Sequence, residues 1–184
     1  MPLFKSKPNF RKLEENLDIE ALIRALNHRD IAVRKNAADT LVEMLGPTSS
    51  AESRQRAGSA LFKTVLDPHQ PERFESALES LAKSCRDESS YVRWGAAWVL
   101  AVLAMCGKRD PRMVDILIDV LKDPSPSTRP PAVRGLAALK DRRAVGPLIV
   151  ALTSPDRNES PSLAKDIEDA LKYLGGPVDG TKID

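Results

Sequence analysis

A chain of 184 residues, 42% of them hydrophobic, can bury one continuous apolar interior, either as a compact domain or as a short repeat array. Aromatics make up only 4% while Leu and Ala recur throughout, which favours closely packed helices over a sheet of β-branched and aromatic residues. The 28 basic and 26 acidic residues nearly cancel to a formal net charge of +2, which excludes a global field that would drive binding to nucleic acid or an anionic membrane.

Residues 1–17 carry Phe4, Phe10, Leu13 and Leu17, and the helical spacing of the last three predicts an N-terminal cap over the open end of a first helical hairpin. That hairpin has Leu22 and Leu26 on its first helix, turn-formers from Asn27 to Asp30, and Val33, Ala37 and Leu41 at i, i+4 and i+8 on its second. From Gly46 to Pro71 one helix, about Glu52 to Leu66 with Arg54, Ala57 and Leu61, stands where two are expected, so this segment reads as a degenerate repeat. The next hairpin has Leu78, Leu81 and Cys85, a turn from Arg86 to Ser90, then Val92, Ala96 and Leu100. A further one has Leu117 and Leu121, a turn from Asp123, then Thr128, Ala132 and Leu136, with Pro130 and Pro131 in the first helical turn, where a missing N–H costs little. The last has Leu148 and Leu152, a turn from Ser154 to Ser160, Pro161 at the helix start, then Leu163, Ile167 and Leu171. Residues 176–184 hold too little apolar content to pack and read as a tail.

The self-similarity is strongest between Leu22–Leu45 and Leu81–Ala104, which align without a gap. Val33-Arg34 meets Val92-Arg93, Ala37-Ala38 meets Ala96-Ala97, and Leu41 meets Leu100. Small residues in the middle of such a stripe let a neighbouring helix come close, and Leu one turn on fills the space, so the stripe is a stacking seam. These residues resemble HEAT repeats, in particular the phycobilisome-lyase-like kind, over about residues 18–175. The resemblance implies an all-α, right-handed α-α superhelix of HEAT/armadillo-like solenoid type with about five helical-hairpin repeats, one of them degenerate. It also implies that the second helices line a concave surface.

Tyr91, Trp94 and Trp98 lie at i, i+3 and i+7 on one helix face, turned away from the seam. The other repeats hold polar residues in these columns: Lys35, Gln55, Pro130 and Lys165 beside Trp94, and Asp39, Ser59, Arg134 and Asp169 beside Trp98. With the implied geometry, Tyr91, Trp94, Trp98 and Arg134 form the candidate partner-binding face. The competing reading buries the tryptophans, because the helix is apolar nearly all round from Gly95 to Met105. The column Arg34, Arg54, Arg93 and Arg129 follows acidic turn residues such as Asp30, Asp87 and Asp123. The resemblance implies an inter-repeat ladder there, and an Arg that satisfies a carboxylate is no longer available to a phosphate.

Signs of catalysis are sparse. His28 and His69 stand in separate turns outside any metal-ligand spacing, and the His-Glu dipeptides that HEAT-type hydroxylases repeat do not occur. Gly175-Gly176-Pro177 reads as a helix stop rather than a phosphate loop, and Cys85 and Cys106 read as reduced, buried thiols. No cofactor or metal is expected, and no stretch has the length of a membrane span, so a soluble, cytoplasmic protein is the default. The expectation is a non-catalytic scaffold or adaptor holding a protein partner. Two alternatives stand beside it: a bilin or chromophore-lyase-like subunit, and a nucleic-acid-binding HEAT-like module with bases stacked on the tryptophans and phosphates on Arg93, Arg129 and Arg134.

Overall fold

A computed structural model describes residues 8–154 and 161–176; Phe4, the turn residues 155–160 and the tail from 177 onward lie outside the described residues. Every regular element among the described residues is helical, and the chain divides into two compact units, Met1–Val102 and Leu103–Asp184. The fold is all-α and built of successive helical hairpins in the manner of a HEAT- or armadillo-like solenoid.

The first unit holds α1 (Phe10–Glu15), α2 (Ile19–Ala25), α3 (Ile31–Leu45), α4 (Ala51–Thr64), α5 (Pro71–Ser84) and most of α6 (Ser90–Met105). Several starts are capped by a short polar side chain. Asn9 accepts from the Lys12 N–H, Asp18 from Ala21, Asp30 from Ala32 and Ser50 from Ser53, each satisfying one of the orphan donors of a first helical turn. The repeated stripe is buried as its spacing requires: Val33, Ala37 and Leu41 on α3 and Val92, Ala96 and Leu100 on α6 are sealed from water. At about 1.5–3 kcal/mol per fully buried Leu or Val, these columns supply much of the drive for stacking.

The second hairpin, α5 with α6, stacks directly on the first, α2 with α3. Asn27 donates from Nδ2 to the Ser80 carbonyl (2.9 Å) and Arg73 lies 3.5 Å from Glu20, joining α5 to α2. On the other layer Gly95 of α6 is pressed against Ala38 of α3; a Cβ at residue 95 would stand only 2.8 Å from the Ala38 methyl. The gapless alignment of these hairpins thus reflects two units that are neighbours in space. The degenerate repeat between them in sequence is the single helix α4. It lies against α2 and α3, buries only Ala57 and Leu61, and does not intervene between α3 and α6. Helix α1 also rests on α2 and α3, with Phe10, Leu13 and Leu17 half-buried.

The second unit holds α7 (Pro111–Val120), α8 (Arg129–Leu139), α9 (Val145–Thr153) and α10 (Pro161–Leu174), with short 3₁₀ turns at Pro126–Thr128 and Arg142–Ala144 leading into α8 and α9. α7 packs on α8, and α10 packs on both α8 and α9. Pro130 and Pro131 fall in the first turn of α8 and α10 begins at Pro161, so all three stand where a helix can accept proline. Thr128, Ala132 and Leu136, and Leu163, Ile167 and Leu171, are buried as the stripe predicts. One core expectation is corrected: Cys85 is buried, but Cys106 is exposed, because α6 ends at Met105 and Cys106 belongs to the turn beyond it.

Candidate functional site

The close approach of Gly95 to Ala38 brings α6 so near α3 that side chains on either side of the contact must reach across to the other helix. Toward the start of α6, the Tyr91 hydroxyl donates to an Asp39 carboxylate oxygen. Tyr91 also packs on Trp94, with ring centroids 5.4 Å apart and the planes tilted by 43°, within the range where aromatic pairs attract. Tyr91 is 38% exposed and Trp94 is half-buried, so this pair presents aromatic surface to water from a position fixed by a hydrogen bond.

One turn later the outcome is different. Trp98 is only 5% exposed, and its indole Nε1–H donates to the Leu45 carbonyl at 2.9 Å. Leu45 is the last residue of α3, and Gly46 leaves it in an extended conformation, so the Leu45 carbonyl has no helical donor and accepts from the indole instead. This corrects the reading of Trp98 as a partner-binding residue: both its apolar surface and its polar atom are consumed by the α3–α6 contact.

Two acidic side chains act on the Tyr91 hydroxyl. Partial burial, the hydrogen bond to Asp39 and the charges of Asp39 and Glu43 together push the Tyr91 phenol up to about 12. Asp39 and Glu43 are one turn apart on α3 and both exposed. The structure therefore brings Tyr91 and Trp94 together and adds two carboxylates that sequence reasoning left among the polar residues. Arg134, the fourth expected residue, belongs to α8 of the second unit, where its Nη2 lies 3.8 Å from Asp166.

The arginine column is structural. Arg34 places Nε 2.7 Å from Asp87 and Nη2 2.8 Å from Glu88, in the turn of the next hairpin, and donates from Nη1 to the His28 carbonyl. Arg93 donates to the Asp87 carbonyl, Arg129 to the Asp123 carbonyl and Arg54 to the Pro47 and Ser49 carbonyls. Each guanidinium thus binds the turn that precedes its helix, and Arg34 also reaches the following repeat. His28 accepts from the Asp30 N–H within the same turn. Among the described residues, no group of three His, Cys, Asp or Glu side chains is arranged to hold a metal ion, and no helix is long and apolar enough to cross a membrane.

The second unit contains an open cleft of about 580 Å³ lined by Ile118 and Leu121 of α7 and its end, Pro147 and Val150 of α9, and Leu163 and Ile167 of α10. The sequence singled out none of these as a site: Leu121, Leu163 and Ile167 belong to the core stripes of their helices, and Ile118, Pro147 and Val150 stand outside them.

Residues 78–160, a little under half of the chain, match the family model for HEAT repeats. No curated protein matches. Among solved structures the chain is similar to an engineered protein at 20% identity, covering 91% of this chain and 84% of that one with a TM-score of 0.46. A second engineered protein is 21% identical over 93% of this chain and 51% of its own, with a TM-score of 0.47. Computationally designed armadillo repeat proteins for modular peptide recognition are 18% identical, with 94% and 89% covered and a TM-score of 0.46. Over residues 78–160, then, this chain is similar to HEAT repeats, in keeping with the helical hairpins seen in both units.

Proposed function

We propose that the protein is a non-catalytic scaffold that holds a protein partner on the surface of its second helices, anchored at Tyr91 and Trp94. The observation that carries this reading is the Tyr91–Trp94 pair itself, part-open to water yet locked in place by the Tyr91 hydrogen bond to Asp39. Rigid aromatic surface gains contact area without a large ordering cost, which is why such residues dominate the binding energy of protein interfaces. A helical hairpin array supplies the stiff support. The nucleic-acid alternative is disfavoured, because Arg93 and Arg129 are engaged with turn carbonyls and the Tyr91 end of the aromatic pair meets two carboxylates. The chromophore alternative is served better by the apolar cleft of the second unit than by the aromatic pair, and pigment co-purifying with the protein would favour it.

The test is selection of displayed random peptides on the wild-type chain and on Trp94→Leu. Peptides that bind the first and not the second are expected. A selection in which every binder is indifferent to Trp94→Leu overturns the anchor.

A further inference from the structure

We infer that the Tyr91–Trp94 face takes a lysine or arginine side chain from an extended cationic segment of the partner, with Asp39 and Glu43 as the counter-charges. This rests on the reading of that face as the docking site and gives its guest a chemistry.

The inference comes from what α3 and α6 place together. The ring face of an indole or phenol attracts a cation within about 6 Å through its quadrupole. Trp94 and Tyr91 offer such faces, half-buried and partly exposed respectively. Two carboxylates one turn apart act on the Tyr91 end of the pair. Asp39 accepts the Tyr91 hydroxyl, while the Glu43 carboxylate has neither an ion pair nor a hydrogen bond among the described residues. Lys35, one turn before Asp39 on α3, is the cation on the same helix face, so the carboxylates outnumber it there. Burial, its bond to Asp39 and the charges of Asp39 and Glu43 push the Tyr91 phenol up to about 12, so both carboxylates act at this ring. The Tyr91–Asp39 bond also fixes the ring and the carboxylate relative to each other before any guest arrives, which lowers the ordering cost of binding.

An anionic guest is opposed by both carboxylates, and a purely apolar guest leaves Glu43 to be desolvated without a partner. The positively charged side chains have apolar stems that can lie along the Trp94 ring while the head group reaches Asp39 or Glu43.

The experiment is calorimetric titration of the full-length protein at low salt with four blocked tetrapeptides: tetralysine, tetra-arginine, tetraglutamate and tetranorleucine. Lysine and arginine peptides are expected to bind saturably, with affinity falling about three- to tenfold in Asp39→Asn and in Glu43→Gln and further in Trp94→Leu. Thermal melts of the three variants, recorded alongside, are expected to stay close to that of the wild type, so that lost binding reports the site and not the fold. Cationic peptides binding all three variants as they bind the wild type overturns the inference, as does equal binding of tetraglutamate. If tetranorleucine alone binds, and Trp94→Leu abolishes it, the cationic guest is wrong while the docking face stands. Failure of every peptide to show Trp94-dependent binding removes both.

Discussion

Trp94 and Trp98 stand one turn apart on the same helix and belong to different parts of the molecule's economy. Trp98 lies beyond the point where Gly95 meets Ala38, over the end of α3, where a carbonyl without a helical donor accepts its indole N–H and the ring is sealed. Trp94 lies before that point, packed against Tyr91, whose hydroxyl is tied to Asp39 of α3, and it stays half-buried. The difference shows that the fate of an aromatic side chain on a repeat helix depends less on its own face than on what the neighbouring helix does at that level. A terminating helix buries it; a continuing polar face leaves it available.

The contrast breaks most sharply with Trp98→Ala, which removes a large buried ring and orphans the Leu45 carbonyl. A loss of about 3–5 kcal/mol is expected by chemical denaturation. Next comes Arg34→Ala, which strands Asp87 at a largely buried junction between consecutive hairpins. A loss of about 2–3 kcal/mol is expected there, somewhat less than for a fully dry ion pair because the junction edge retains some water. Gly95→Ala tests the contact that divides the two tryptophans. Its methyl must push α3 and α6 apart at Ala38, and a destabilisation of about 1–3 kcal/mol is expected, partly relieved in the double variant Gly95→Ala with Ala38→Gly. Trp94→Leu should change stability by less than about 1 kcal/mol, so the two tryptophan variants separate by melting alone. The remaining tryptophan in Trp94→Leu should emit at short wavelength and resist acrylamide, whereas the one in a Trp98→Phe variant should be readily quenched.

The smallest effect is a titration. Because the folded chain holds the Tyr91 phenol protonated up to about 12, its contribution to stability is complete below the unfolded phenol range near 10 and is lost as pH rises from there through 12. Ultraviolet difference spectra are expected to show one tyrosine ionising near 12 and moving to lower pH in Asp39→Asn, since a neutral amide neither carries the charge nor accepts the hydroxyl as strongly.

Much of the architecture was legible before any coordinates. The stripes at Val33, Ala37 and Leu41 and at Val92, Ala96 and Leu100 announce helices through their period and stacking through their small central residues, and both are local properties of the chain. The arginines at 34, 54, 93 and 129 were read, through the resemblance, as a ladder onto acidic turn residues; Arg34 does reach Asp87 and Glu88, and Arg54, Arg93 and Arg129 donate to turn carbonyls, which no acidic side chain in the sequence announces. Cys106 was misread because an apolar pattern does not mark the residue at which a helix stops.

The site was only half legible. Tyr91 and Trp94 share a face by helical spacing, so sequence alone determined that they belong together, along with the repeat, the hairpins and the all-α class. That Trp98 is core, that Asp39 and Glu43 flank the pair, and that α4 folds beside α2 and α3 were decided only by the tertiary structure. The seat of α4 is a matter of packing between whole helices, and the other two depend on which atoms of α3 meet α6 at sequence separations of 52 and 53; a contact of that range is set by how close Gly95 lets the two backbones come, a distance no local periodicity contains.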